Sequence, residues 1–208
     1  MAKIKNTKTE LKAQTDALKR YQRFLPMLQL KKQQLQVEIA SITGAIDLLT
    51  EKETAWRKSL APWMALFSSP ELPDDLVRRK AVLTDAGNIA GVAIPIYRGI
   101  ETERADLDLE SSPSWLDDAG DAIVKALELG AEKEVLAEQR RLVTEELRTT
   151  TQRVNLFEKV KIPECKENIR VIGIHLGDER TAAVARGKIA KRRGAQTATA
   201  DEGEEETV

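Results

Sequence analysis

The side chains best suited to chemistry are few here, and none is grouped. His175 is the only histidine and Cys165 the only cysteine among 208 residues. A metal centre needs several such ligands, and a nucleophile needs a base beside it, so neither residue makes a site alone. Cys165 is expected to be a small buried residue near a helix seam, and His175 an ordinary helix side chain. Gly187-Lys188 has the ending of a phosphate loop. That loop requires Gly-x-x-x-x-Gly-Lys-Ser/Thr, so that backbone amides and the lysine wrap the phosphates. Here Ala182 replaces the first glycine and Ile189 the hydroxyl residue, within a helical pattern. The acids of Glu132–Glu138 show no pairing that favours catalysis and fit a solvated helix face. The sequence therefore predicts no catalytic residue, no cofactor and no metal.

Composition points the same way. Charged residues make up 32% and aromatics 4%, a composition of long helices and coiled coils rather than of a compact core. A net charge of -1 gives the whole chain no general attraction for nucleic acid or an anionic membrane. One cysteine allows no internal disulfide, which fits a reducing cytosolic setting. The start, Met1-Ala-Lys-Ile-Lys, lacks a secretory apolar run, and no stretch is apolar for long enough to cross a bilayer. Charge is uneven along the chain, however. Residues 1–32 carry nine Lys/Arg against Glu10 and Asp16, and residues 185–193 add Arg186, Lys188, Lys191, Arg192 and Arg193 with no acid. Residues 101–121 hold eight acids and one arginine.

Two helical patterns must position these residues. Alternating steps of three and four run from Leu11 through Leu18, Leu35, Ile42, Leu49 and Trp56 to Phe67, and fourteen of the seventeen positions visited are apolar. A repeat of 3.5 residues sustained this long marks a helix supercoiled on a partner, roughly 85 Å long at the usual rise. The polar seam residues Gln14, Lys32 and Glu53 would fix register at some cost in stability. A second pattern begins near Ser114–Asp118, where Ser and Asp can cap a helix, and fades after Lys191. Gly130 interrupts it at a cost of up to about 1 kcal/mol.

Between them, Pro70 and Pro73 break the first helix, and Lys80–Thr84 and Ile89–Ile100 have the character of short strands around a turn at Asp85-Ala-Gly-Asn88. The expected fold is mainly α, a long antiparallel two-helix coiled-coil hairpin with a small β-hairpin insert. Its parts would be an N-terminal helix over 1–67, an insert over 68–118, a C-terminal helix over 119–193 and a disordered acidic tail over 194–208. If Phe67 lies near Gly120, Pro26 falls opposite residue 161 and almost level with Pro163, and a bend is expected there. Trp56, Trp63 and Phe67 cluster toward the insert, either as local core against Trp115 or as anchors for a docked partner.

The segment Arg153-Val-Asn-Leu-Phe-Glu-Lys-Val-Lys-Ile-Pro163, followed by Ile169, Ile172, Leu176, Glu179 and Arg180, resembles the D subunit of V-type and A-type rotary ATPases. That family carries R-V-N-x-x-E-x-x-x-I-P and then I-x-x-I-x-x-x-L-x-x-x-E-R in its C-terminal helix. Thr7-Lys-Thr-Glu-Leu-Lys12 is similar to the family's opening, and Asn88-Ile-Ala-Gly-Val-Ala-Ile-Pro95 to its hairpin strand. The sequence departs after Leu18, where Tyr21-Gln-Arg-Phe-Leu-Pro-Met stands in place of the commoner Gly and Leu-Leu-Lys, and so resembles a divergent bacterial branch.

The resemblance implies a non-catalytic central shaft. Its paired termini would enter the cavity of an A3B3 hexamer of catalytic A and B subunits. The F subunit would dock on its side, and a linking subunit (C, or d) would join its insert end to the membrane ring. The chain would then be cytoplasmic and peripheral to the membrane, coupling ATP hydrolysis or synthesis to proton or sodium movement. Arg186, Lys188 and Lys191 are the leading candidates for contacts with the hexamer, with Arg153, Trp56 and Trp63 as further contact candidates. A prefoldin-like chaperone, or a coiled-coil scaffold protein, is the competing reading; the basic terminal end argues against client capture.

Overall fold

The computed structural model describes residues 5–69, 72–73, 75–106 and 113–205. It is mainly helical, with one two-stranded antiparallel sheet: α1 (Lys8–Ser59), two short 3-10 turns (Ala61–Trp63 and Leu66–Ser68), β1 (Val77–Ile89), β2 (Val92–Arg104), α2 (Trp115–Asn155), a π-turn (Leu156–Lys161) and α3 (Ile162–Glu205). The chain divides into two compact units. One joins Met1–Met27 to Arg153–Val208, and the other is Leu28–Gln152.

In the Leu28–Gln152 unit, Leu35, Ile42 and Leu49 recur every seven residues on α1 and are buried, as the heptad requires. They face α2 in antiparallel sense: Lys31 Nζ meets Glu146 Oε1 at 2.6 Å, and Lys133 Nζ meets Glu53 Oε2 at 3.3 Å. The first helix stops earlier than the sequence predicts. It ends at Ser59, because Pro62 can neither donate to the ladder nor let its neighbour settle easily into a helix; the chain turns through the two 3-10 segments instead. The apolar period runs on to Phe67, but those last residues no longer form the seam.

The hairpin is longer than expected and turns elsewhere. Each strand has 13 residues, and the reversal falls at Ala90-Gly91, with Ile89 paired to Val92. Both turn residues have positive φ, 50° and 84°, the geometry of a type I′ two-residue loop. Asn88 Oδ1 accepts the Gly91 amide at 2.9 Å. Asp85–Asn88, expected to be the turn, instead lies within β1 opposite Ala93–Ile96. Pro95 is tolerated because a two-stranded sheet has only edge strands.

This hairpin belongs to the core. Ile94 is buried with Leu35, Ile42 and Val143, and Ile89, Ala90 and Val92 pack around them. A second cluster of Leu76, Leu116 and Ala119, with Phe67 and Trp115 against it, closes the hairpin's base. Arg104 pairs with Asp121, and Arg79 Nη1 with Glu134 Oε2 at 2.9 Å. Gln139 Nε2 donates to the Pro95 carbonyl at 2.5 Å.

In the other unit, α1 opens on Thr7, whose Oγ1 accepts the Glu10 amide at 3.2 Å, an N-cap bond. Its first turns lie antiparallel to the C-terminal arm: Tyr21 packs against Phe157 with ring centroids 5.0 Å apart and planes tilted by 48°, and Asn168 Nδ2 reaches Gln14 Oε1 at 3.4 Å. Val154, Cys165, Ile172 and Leu176 are buried. The register assumed from Phe67 and Gly120 is therefore wrong here, since it would set Tyr21 against Lys166. Pro26 and Pro163 are consequently not level; α1 runs on through Pro26, and Pro163 sits in the first turn of α3. Helical backbone continues to Glu205, past the expected end at residue 193 and through most of the segment expected to be a disordered tail. Residues 206–208 lie outside the described residues.

Candidate interaction surfaces

Residues 177–193 of α3 form one exposed, basic stretch. Among the described side chains of that helix Leu176 is the last buried one, and every residue from Gly177 to Arg193 is exposed. Arg186, Lys188 and Lys191 stand on this stretch with two exposed apolar residues, Val184 at 58% and Ile189 at 56%. The stretch thus presents cations together with uncovered aliphatic surface, and a partner with a carboxylate-bearing, partly apolar wall would satisfy both.

Arg153 lies exposed in the last turn of α2. The tryptophans belong to the other unit. Trp56 is half-buried and lines an apolar groove of about 360 Å³ with Leu60, Met64, Phe67, Ile123 and Ala126. Trp63 is more exposed, at 40%, and lines a separate, more polar groove with Leu66, Trp115 and Asp118. The aromatic cluster expected from the sequence is therefore split: Phe67 and Trp115 join the buried cluster at the hairpin base, and Trp63 stays outside it.

Two of the three polar seam residues meet partners on the opposite arm. Gln14 is bonded by Asn168, and Glu53 by Lys133. The Lys133 hydrogen bond holds the Glu53 carboxyl below the usual carboxylate range, against an opposing effect of burial, with the charges of Lys133 and Arg57 adding to the depression. Sequence reasoning missed Gln139, a polar residue at an inward α2 position, whose only signal was its place among the buried Val135 and Val143. Tyr97 also escaped it; burial first, then Glu128 and Glu132, pushes its phenol up.

Cys165 is buried, and that burial pushes its thiol up, with Glu164 adding to the rise and Lys161 opposing it. His175 is exposed on α3. Among the described residues no group of three or more His, Cys, Asp or Glu could hold a metal ion, and no helix is long and apolar enough to cross a membrane.

Antiparallel helices with a packed β-hairpin define a mainly helical protein of the long-hairpin class. The family model for the ATP synthase D subunit matches residues 10–192. The V-type ATP synthase D subunit of Borreliella burgdorferi is 44% identical over 191 residues, covering 92% of this chain and 95% of that protein. Those of Chlamydia muridarum and Chlamydia caviae are 33% identical over 199 residues and 32% over 195, covering 92% of this chain and 96% and 94% of theirs. The chain belongs to the ATP synthase D subunit family.

Proposed function

We propose that this chain is the non-catalytic central shaft of a V/A-type rotary ATPase, coupling ATP turnover in an A3B3 hexamer to proton or sodium movement through a membrane ring. The observation that carries the reading is the stretch of α3 from Gly177 to Arg193. It is helical and exposed, its six Lys/Arg outnumber Asp178 and Glu179, and Val184 and Ile189 are uncovered, as suits a segment housed inside another assembly. Arg186, Lys188 and Lys191 are the residues we assign to contacts with the hexamer. The grooves lined by Trp56 and Trp63 suit the partners below it, a linking subunit at the hairpin base and the F subunit on the side. The complex would be peripheral to the membrane on its cytoplasmic face.

The mechanism asks only for a stiff, asymmetric shaft. One asymmetric body in a cavity of threefold character presents a different face to each catalytic site and so gives the sites different nucleotide affinities. Turning it permutes those affinities, and linkage makes the effect reciprocal, so torque from the ring favours synthesis and hydrolysis drives pumping. Burial of Leu35, Ile42 and Val143 with Ile94 supplies stiffness.

Native mass spectrometry of the purified chain mixed with its cognate A, B and F subunits tests the stoichiometry this demands. One copy of this chain with one F subunit per hexamer is expected. A homo-oligomer that ignores those partners would instead favour the scaffold or chaperone reading.

A further inference from the structure

The C-terminal arm carries one residue more than its seam can use. Val154 is buried, and Phe157, three residues on, packs against Tyr21. Continuing the alternation of three and four from these two would place Lys161, Glu164, Asn168, Val171 and His175 in the seam. Lys161 and Asn168 are half-buried, but Glu164, Val171 and His175 are exposed, and the buried residues are Cys165, Ile172 and Leu176, each one position after an exposed one. The slip falls within Leu156–Lys161, where the helix widens to a π-turn and the Ile162 amide donates to the Phe157 carbonyl, five residues back. A π-turn takes up one extra residue in this way and is often found at functional positions.

Pro163 is compatible with the turn, since it has no amide to give the Lys159 carbonyl, which an ordinary helix would require. Closing the turn to ordinary helix at full length would rotate everything after it by about 100°, the angle of one residue. Cys165, Ile172 and Leu176 would then leave the seam.

We propose that Leu156–Lys161 is a torsional joint, a turn that stores one surplus residue and winds partly toward ordinary helix under load, with the seam after it supplying the restoring force. Its role in twisting rests on the shaft reading; the existence of a surplus residue does not.

The test deletes Lys159 and replaces Pro163→Ala in the full chain. If the turn stores one residue, the deletion lets the helix run through with the seam in phase. Cys165, the only thiol, then stays as slow toward a thiol reagent as in the parent, and the amides of Val160, Lys161 and Ile162 exchange at least tenfold more slowly than before. A thiol that labels at the rate of an exposed cysteine, or unchanged amide exchange, overturns the surplus residue. P163A alone keeps the length, so its 159–162 amides are expected to remain fast; slow exchange in that variant would make the proline, rather than the residue count, the cause, and would overturn the proposal. In the complex assembled with the A, B and F subunits, the membrane ring and the linking subunit, the deletion variant is expected to hydrolyse ATP but to pump fewer ions per ATP. An unchanged ratio in a complex whose turn is closed would overturn the joint while leaving the shaft reading in place.

Discussion

Gln139 on α2 reaches the carbonyl of Pro95 on β2 with a 2.5 Å hydrogen bond, and the residue that makes it is only 8% exposed. A buried amide pinned to the backbone of a hairpin turns that hairpin from an appendage into part of the packing. The bond sits on the same strand as Ile94, which shares its cluster with Leu35, Ile42 and Val143. Gln139→Ala leaves the Pro95 carbonyl without this donor and opens a small space, and should destabilise the protein by about 1–3 kcal/mol. Urea unfolding of the variant measures it, and a loss confined to the hairpin would appear as faster amide exchange over residues 77–104.

Leu35 and Ile172 are each fully buried, one in each unit. Replacing either with Ala should cost about 2–5 kcal/mol. Chemical denaturation with separate probes on the two units would show whether each loss stays within its own unit.

Ala90 occupies a positive-φ position that β-hairpin turns usually give to Asn, Asp or Gly. Ala90→Asn should therefore raise stability by about 0.5–1 kcal/mol, and Gly91→Ala should lower it by about 1 kcal/mol. Melting temperatures of the two variants are expected to move in opposite directions.

Glu53 has its folded-state pKa depressed by Lys133. Such a group contributes stability above the ordinary carboxylate pKa, and that contribution is lost as pH falls through the lower folded value. Glu53→Gln should thus flatten the fall in stability below about pH 5 while changing the slope near pH 7 very little. Denaturation midpoints measured across that window check it.

Arg186, Lys188 and Lys191 are exposed on a stretch of α3 with no buried residue. Reversing all three to Glu should leave the melting temperature unchanged and slow association with the hexamer by about tenfold or more at low salt. Stopped-flow binding at two ionic strengths separates this from a folding defect, because the parent's rate should fall with salt and the variant's should not.

The seam was legible in the sequence because burial enforces a period: Leu35, Ile42 and Leu49 can share one face only on a helix. The end of α1 was not, because the apolar spacing continues through Trp63 and Phe67 while Pro62 stops the helix ahead of them. The turn was misplaced for a related reason. Asp85-Ala-Gly-Asn88 has the residue types of a turn, yet Ile89 and Ile94 have a core to reach, and satisfying them moves the reversal to Ala90-Gly91. The π-turn leaves a trace in the sequence, the single-residue slip between Phe157 and Cys165, which is visible only once Tyr21 fixes the phase. Contact residues such as Lys188 carry no signal of this kind, since nothing in the chain's own fold constrains an exposed cation.

A shaft differs from a scaffold or a stator in one respect, which is that it turns. The direct test fixes the hexamer to a surface through its A subunits and attaches a bead to this chain through a cysteine placed at Asp85, an exposed position on the hairpin. ATP should drive unidirectional rotation of the bead through three principal dwell positions per turn. A bead that stays still while the same immobilised complexes hydrolyse ATP would contradict the account.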